Sequence, residues 1–136
     1  MIVWEEPEVK YMSKENFPLK EESFEIIGIC MEVHRILGKG LLEVVYKDAI
    51  ELELKLKGIN YTREKKYEIE YKGVTLPHFF VADFVINNII VEIKAQNKTV
   101  EEHYGQIINY IRISKNKVGL LINFGEESLK YKRFVI

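Results

Sequence analysis

Residues Phe79 to Ala95 read FFVADFVINNIIVEIKA. The stretch is almost wholly apolar, yet it carries Asp83, Glu92 and Lys94. Val, Ile and Phe occupy both phases of the alternation, the pattern of strands buried on two faces. Asn87-Asn88 supplies a two-residue turn, because asparagine tolerates positive φ better than most residues. Pairing across that turn sets Asp83 directly opposite Glu92. Directly opposed residues point to one face, with Cβ atoms roughly 5 Å apart. Lys94 lies two residues beyond Glu92 and shares that face. Two carboxylates and one ammonium therefore converge on a buried sheet.

Like charges directly opposite destabilise a sheet, and buried charges need partners or a metal. Lys94 can neutralise one carboxylate but not both. A divalent cation is the natural second partner, and hard ions such as Mg²⁺ accept one or two carboxylates completed by water and phosphate. The alternative is a structural ion pair at a strand end, with one carboxylate in solvent.

The rest of the chain bounds this reading. With 136 residues, 47% apolar and 30% charged, it has the size and balance of one globular domain with a real core. The single Cys30 excludes an internal disulfide and fits a reducing compartment. No apolar run approaches the roughly 20 residues of a membrane span, and the acidic start MIVWEEPEVK lacks a basic signal-peptide region. No membrane association is expected, and the cytoplasm is the expected location. The net charge of −1 argues mildly against strong nonspecific DNA binding, though Arg63, Lys65 and Lys66 form one basic cluster and Lys130, Lys132 and Arg133 another.

Residues 1–20, with Pro7 and Pro18, lack periodicity and read as a loose extension; residues 21–136 read as a single domain. A helix begins at Glu21, its apolar positions Ile26, Ile27, Cys30, Val33 and Leu37, and stops at Gly38. A second runs from about Leu41 to Lys57 and stops at Gly58. It carries two apolar stripes: Leu41, Val45, Ala49, Leu52 and Leu56, and beside them Tyr46, Ile50 and Leu54. Lys47, Asp48, Glu51 and Lys55 form its polar face. Glu43 falls on the side of Ile50 and Leu54, a position the helix dipole alone does not explain. Tyr61–Tyr71 reads as a strand of mixed exposure, Lys72-Gly73 as a turn, and Pro77 as an edge position. A third helix, Val100–Ser114, turns Tyr104, Ile107, Ile108 and Ile111 to the core. Gln106 and Tyr110 are neighbours on an adjacent stripe. Val118–Phe124 is a continuous apolar run typical of a central strand, and Tyr131–Ile136 a last short strand. His34, His78 and His103 show no metal-ligand spacing.

Two motifs coincide in this frame. Gly40-Leu41-Leu42-Glu43-Val44-Val45-Tyr46 reads G-x-x-E-x-x-Y and resembles the GxxExxY proteins, which look like the PD-(D/E)XK nuclease superfamily. Glu32-Val33-His34 and GLLINFG, Gly119 to Gly125, are similar to the same family. The likeness covers Phe24 to the C-terminus. It implies an α/β (α+β) fold: a central mixed β-sheet flanked by helices, a restriction-endonuclease-like core. It implies that Asp83, Glu92 and Lys94 are catalytic, and that Glu43, Asp83, Glu92 and the Ile93 carbonyl hold Mg²⁺ or Mn²⁺. Gln106 and Tyr110 match the Q-x-x-x-Y motif of the RecB-like branch, and with Tyr46 they are expected to bind or orient substrate. Ala82 stands where the superfamily name has proline. The implied function is metal-dependent hydrolysis of nucleic-acid phosphodiesters, with nucleic acid as partner, DNA ahead of RNA, and a homodimer left open. The alternative is a non-catalytic module of the same fold that binds nucleic acid or protein.

Overall fold

The computed structural model describes residues 2–3, 18–98 and 100–136. Its elements are β1 (Ile2–Val3), α1 (Lys20–Leu37), α2 (Glu43–Lys57), β2 (Tyr61–Tyr71), β3 (Val74–Ile86), β4 (Ile89–Lys94), a 3-10 turn (Glu101–His103), α3 (Tyr104–Ser114), β5 (Val118–Asn123) and β6 (Lys130–Val135). The strands form one six-stranded sheet in the order β1-β6-β5-β4-β3-β2. Only β4 and β5 run parallel; the other pairs are antiparallel. Most of the extension expected at residues 1–20 lies outside the described residues. Within it, Ile2 pairs with Phe134 and Val3 with Arg133, adding an edge strand.

The hairpin forms as the sequence dictates. Asn87 and Asn88 take φ of 48° and 67°, the two positive values that a type I′ turn needs. Ile86 then pairs with Ile89, Val85 with Ile90 and Phe84 with Val91. The sheet is covered on both faces. Ile26, Val33, Tyr46, Ile50, Phe84 and Val91 belong to a core cluster under α1 and α2. Ala82, Ile90, Ile107, Ile111, Leu121 and Phe134 belong to a second, against α3. Burial on two faces explains why β4 is buried at every position but its last.

Side chains on β3 do not alternate uniformly. Phe84 and Ile86 join the α1–α2 cluster, whereas Phe80 and Ala82, of the same parity, join the α3 cluster. Strict period-two alternation would place all four on one face. The phase therefore slips by one residue at Asp83. The neighbouring strand keeps its register across this level but skips one pair: Arg63 pairs with Phe84 and Lys65 with Ala82, while Glu64 and Asp83 between them make no ladder pair. Glu64 has φ of 56°, a left-handed conformation that is uncommon for a non-glycine residue inside a strand.

Three expectations are adjusted. α2 starts at Glu43, and α3 follows a 3-10 turn instead of starting at Val100. The α2 stripe of Val45, Leu52 and Leu56 stays on the surface, because Tyr46, Ile50 and Leu54 already fill the space against the sheet. Lys47, expected on the polar face of α2, is buried. It lies one turn beyond Glu43, so it points toward the sheet with it.

Candidate active site

The slip at Asp83 opens the sheet where the charged residues meet. With no ladder partner on either side, Asp83 donates its backbone N–H to Glu92 Oε2 at 3.1 Å, and its own Oδ2 accepts from the Ile93 N–H at 2.8 Å. Each carboxylate thus replaces a lost ladder bond of the opposite strand, which satisfies the freed backbone groups. Glu92 is 7% exposed. Burial, then the neighbouring Asp83, pushes its pKa up to about 9, while Lys94 pulls the other way. Two carboxyl groups this close cannot both ionise cheaply in a dry site.

Glu43 enters from the first turn of α2 and is half-buried. Burial and then Asp83 raise its pKa; Lys94 and Lys47 lower it. The G-x-x-E-x-x-Y segment has a physical reason here. Gly40 takes φ of 96°, reserved in practice for glycine, and the loop folds back over Tyr46. The Tyr46 hydroxyl donates to the Gly38 carbonyl at 2.7 Å and accepts the Leu41 N–H at 3.1 Å. Its ring stacks on Phe124 at 4.5 Å. Tyr46 is fully buried. It orients the loop that presents Glu43 and has no surface left with which to touch a substrate.

Lys94 is half-buried at the end of β4. Its charge reaches Glu92 and Glu43 as above, and after burial it is the next cause lowering the pKa of His103. The direct cationic partner of Asp83 is another residue. Lys47 Nζ lies 3.0 Å from Asp83 Oδ1 and 2.5 Å from Glu64 Oε1. Burial would lower the Lys47 pKa, but these two hydrogen bonds outweigh it and raise it. Tyr110 stacks face to face on Phe80, with centroids 3.9 Å apart. Burial first, then Glu92 and Asp83, raises its phenol pKa, while a hydrogen bond from Gln106 opposes the shift. Gln106 itself is exposed.

The donor chemistry suits a hard divalent ion. Asp83 and Glu92 stand too close for both to ionise cheaply, and a cation, the Lys47 ammonium, already occupies one Asp83 oxygen. Among the described residues no group of three or more His, Cys, Asp or Glu side chains is placed to hold a metal ion.

Lys47 and Glu64 were not expected at the site. The helical phase that singled out Glu43 also covers Lys47, four residues on; nothing in the sequence marks Glu64. Asn123 was absorbed into an apolar run. It is fully buried, and its Oδ1 accepts the N–H groups of Gln96 and Gly125 at 2.9 and 3.1 Å. Its amide donates to the carbonyls of Gln96 and Lys98 and to Glu126. Gln96 Nε2 lies 3.0 Å from His103 Nε2, so the segment after Lys94 is pinned at both ends.

A mixed six-stranded sheet covered by helices on both faces is the frame of a nuclease-like fold. The family model of the PD-(D/E)XK nuclease superfamily matches residues 20–134. The chain belongs to that superfamily. Among solved structures it is similar to the crystal structure of SSO0001, with a TM-score of 0.56 and 19% identity over 88% of this chain. It spans 60% of that chain, and the likeness is one of fold. No curated protein matches. Among the described residues no helix is long and apolar enough to cross a membrane.

Proposed function

We propose that the protein is a metal-dependent nuclease whose site is Asp83, Glu92 and Lys94, joined by Glu43. The observation that carries this reading is the Asp83–Glu92 pair, set side by side where both strand ladders part, with Glu92 buried and held toward its neutral form. Asp83 and Glu92, with Glu43 at the margin and the Ile93 carbonyl, would hold Mg²⁺ or Mn²⁺. Such an ion, when bound, offsets charge growing on a phosphate and acidifies water. Lys94 places a second positive charge beside the scissile phosphate. Tyr110, stacked on Phe80, and Gln106 would bind or orient substrate from the α3 side. Tyr46 keeps the Glu43 loop in position.

The outer half of the β2–β3 hairpin supports a nucleic-acid partner. Lys65, Lys66 and Lys72 lie over the rings of Tyr67, Phe79 and Tyr71 at 5.4, 4.2 and 5.5 Å. Phe79 and Tyr71 are 54% and 60% exposed. Interleaved cations and open rings are what a nucleic-acid strand needs for its phosphates and bases. DNA is the first substrate to test and RNA the second, for a protein acting in the cytoplasm.

The test is hydrolysis of single-stranded, duplex and branched DNA and of RNA, with Mg²⁺ or Mn²⁺. At least one substrate should be cut. Lys94→Ala should lower the rate about 10²–10³-fold, the usual loss for one electrostatic group, with circular dichroism unchanged. Binding without cutting of any substrate would replace this reading with the non-catalytic module.

A further inference from the structure

The metal centre proposed above leaves Lys47 without a role, although its ammonium touches the site. Lys47 Nζ bridges Asp83 Oδ1 at 3.0 Å and Glu64 Oε1 at 2.5 Å, with its side chain 11% exposed. The other Asp83 oxygen is committed to the Ile93 N–H. Oδ1 is the oxygen with no backbone hydrogen bond, and an ammonium stands on it. Two cations cannot share that oxygen without strong repulsion. Glu64 offers the ammonium a second place. Its side chain is 50% exposed, and Arg63 Nε lies 3.9 Å from the same Oε1. Its left-handed backbone at φ 56°, outside the ladder with β3, puts the carboxylate beside Lys47 at the level of Asp83. A lysine stem has the freedom to swing between two acceptors a short distance apart.

We propose that Lys47 is a resident counter-ion that competes with the divalent metal for Asp83 and withdraws to Glu64 when the metal enters. The pair Lys47–Glu64 acts as a positioning device that holds the metal-free site intact. It rests on the metal-centre reading. In the metal-free protein Lys47 balances Asp83, so the acidic site does not spread apart. On metal entry Glu64 receives the ammonium, and no buried charge is stranded.

Calorimetric titration with Mn²⁺, on substrate-free protein at fixed pH and ionic strength, tests this without any activity measurement. Lys47→Met keeps the buried stem and removes the competitor, so Mn²⁺ should bind more tightly, on the order of 5-fold or more. Glu64→Gln, at a half-exposed position that carries no fold risk, removes the resting place and should weaken binding by a similar factor. In the Lys47→Met background, Glu64→Gln should have almost no effect, because Glu64 acts only through Lys47. Wild type that binds Mn²⁺, with Lys47→Met equal or weaker, overturns the competition and leaves the metal centre standing. A Glu64→Gln effect that persists undiminished without Lys47 reduces both residues to background field and also overturns it. If none of the proteins binds Mn²⁺, the metal centre falls and the exchange with it.

Discussion

Strand β4 meets a polar buried group on each side, and the two are built on opposite terms. Toward β5, Asn123 meets both polar groups of the Gln96 backbone, and its side-chain oxygen and amide are all engaged. Toward β3, Asp83 and Glu92 face each other with one carboxyl forced toward its neutral form. The first arrangement is a satisfied network, which rigidifies a fold. The second holds charge in conflict, which costs stability and is found where a site binds something. The two can be told apart by mutation, because removing the satisfied Asn123 should hurt, whereas neutralising Glu92, the carboxyl in conflict, should not.

The largest effects belong to the β5 side. Asn123→Ala would leave the half-buried Gln96 N–H and C=O without their Asn123 partner, each costing up to about 1–3 kcal/mol. A total of about 3 kcal/mol is expected, roughly a 10 °C fall in Tm for a domain of this size. Gly125→Ala should be comparably severe, since a Cβ there would stand 2.2 Å from the Gln96 carbonyl oxygen, a clash with backbone that cannot turn aside. Thermal melts of both variants check this. A near-native Asn123→Ala would mean that the comparison has no structural side.

An intermediate effect is expected at Asp83. Asn keeps the shape but presents one N–H pair, which must face either the Lys47 ammonium or the Ile93 N–H. Either way two donors meet, and Asp83→Asn should cost about 1–2 kcal/mol in metal-free urea titrations near neutral pH. A loss of roughly 3–5 kcal/mol would instead mark Asp83 as the buried half of a structural ion pair with Lys47.

How far the sequence carried the reading follows the same division. The hairpin register was legible next to the turn, because Asn87-Asn88 fixes the three pairs from Ile86–Ile89 to Phe84–Val91; the expected Asp83–Glu92 pair beyond them is not in the ladder. The helical phase placed Glu43 toward the sheet before any coordinates were needed. The phase change at Asp83 and the missing Glu64–Asp83 pair were not legible. Glu64 is left-handed there, and glutamate carries no local signal for that conformation. Because the slip was hidden, so was the identity of the cation at Asp83: strand alternation pointed to Lys94, whereas the direct contact comes from Lys47 on α2. Asn123 was missed because six consecutive buried positions in β5 read as apolar core, and one polar residue at the strand end did not interrupt the pattern.

The most informative effect is the one at Glu92. Burial and Asp83 raise the Glu92 pKa from 4.5 to about 9. Between those values the folded protein holds a proton that the unfolded chain has lost. Stability then falls as pH rises through that window, because the folded state binds more protons. Below the unfolded value Glu92 is neutral in both states and contributes no penalty. Glutamine is neutral at every pH and nearly isosteric. Its Oε1 can accept the Asp83 N–H as Glu92 Oε2 does, and its amide can donate to the Asp83 carboxylate. Metal-free Glu92→Gln should therefore match wild type near pH 4 and exceed it increasingly toward pH 8, flattening the pH profile. Saturating Mn²⁺ should reverse the order. Wild type gains about 2.7 kcal/mol at a hundredfold excess over Kd, and Glu92→Gln loses most of that gain. Melts across pH, with and without Mn²⁺, measure both effects. A Glu92→Gln protein that is less stable at pH 8 without metal would mean that Glu92 works as an ionised structural partner, and the β3 side of β4 would then be built on the same terms as the β5 side.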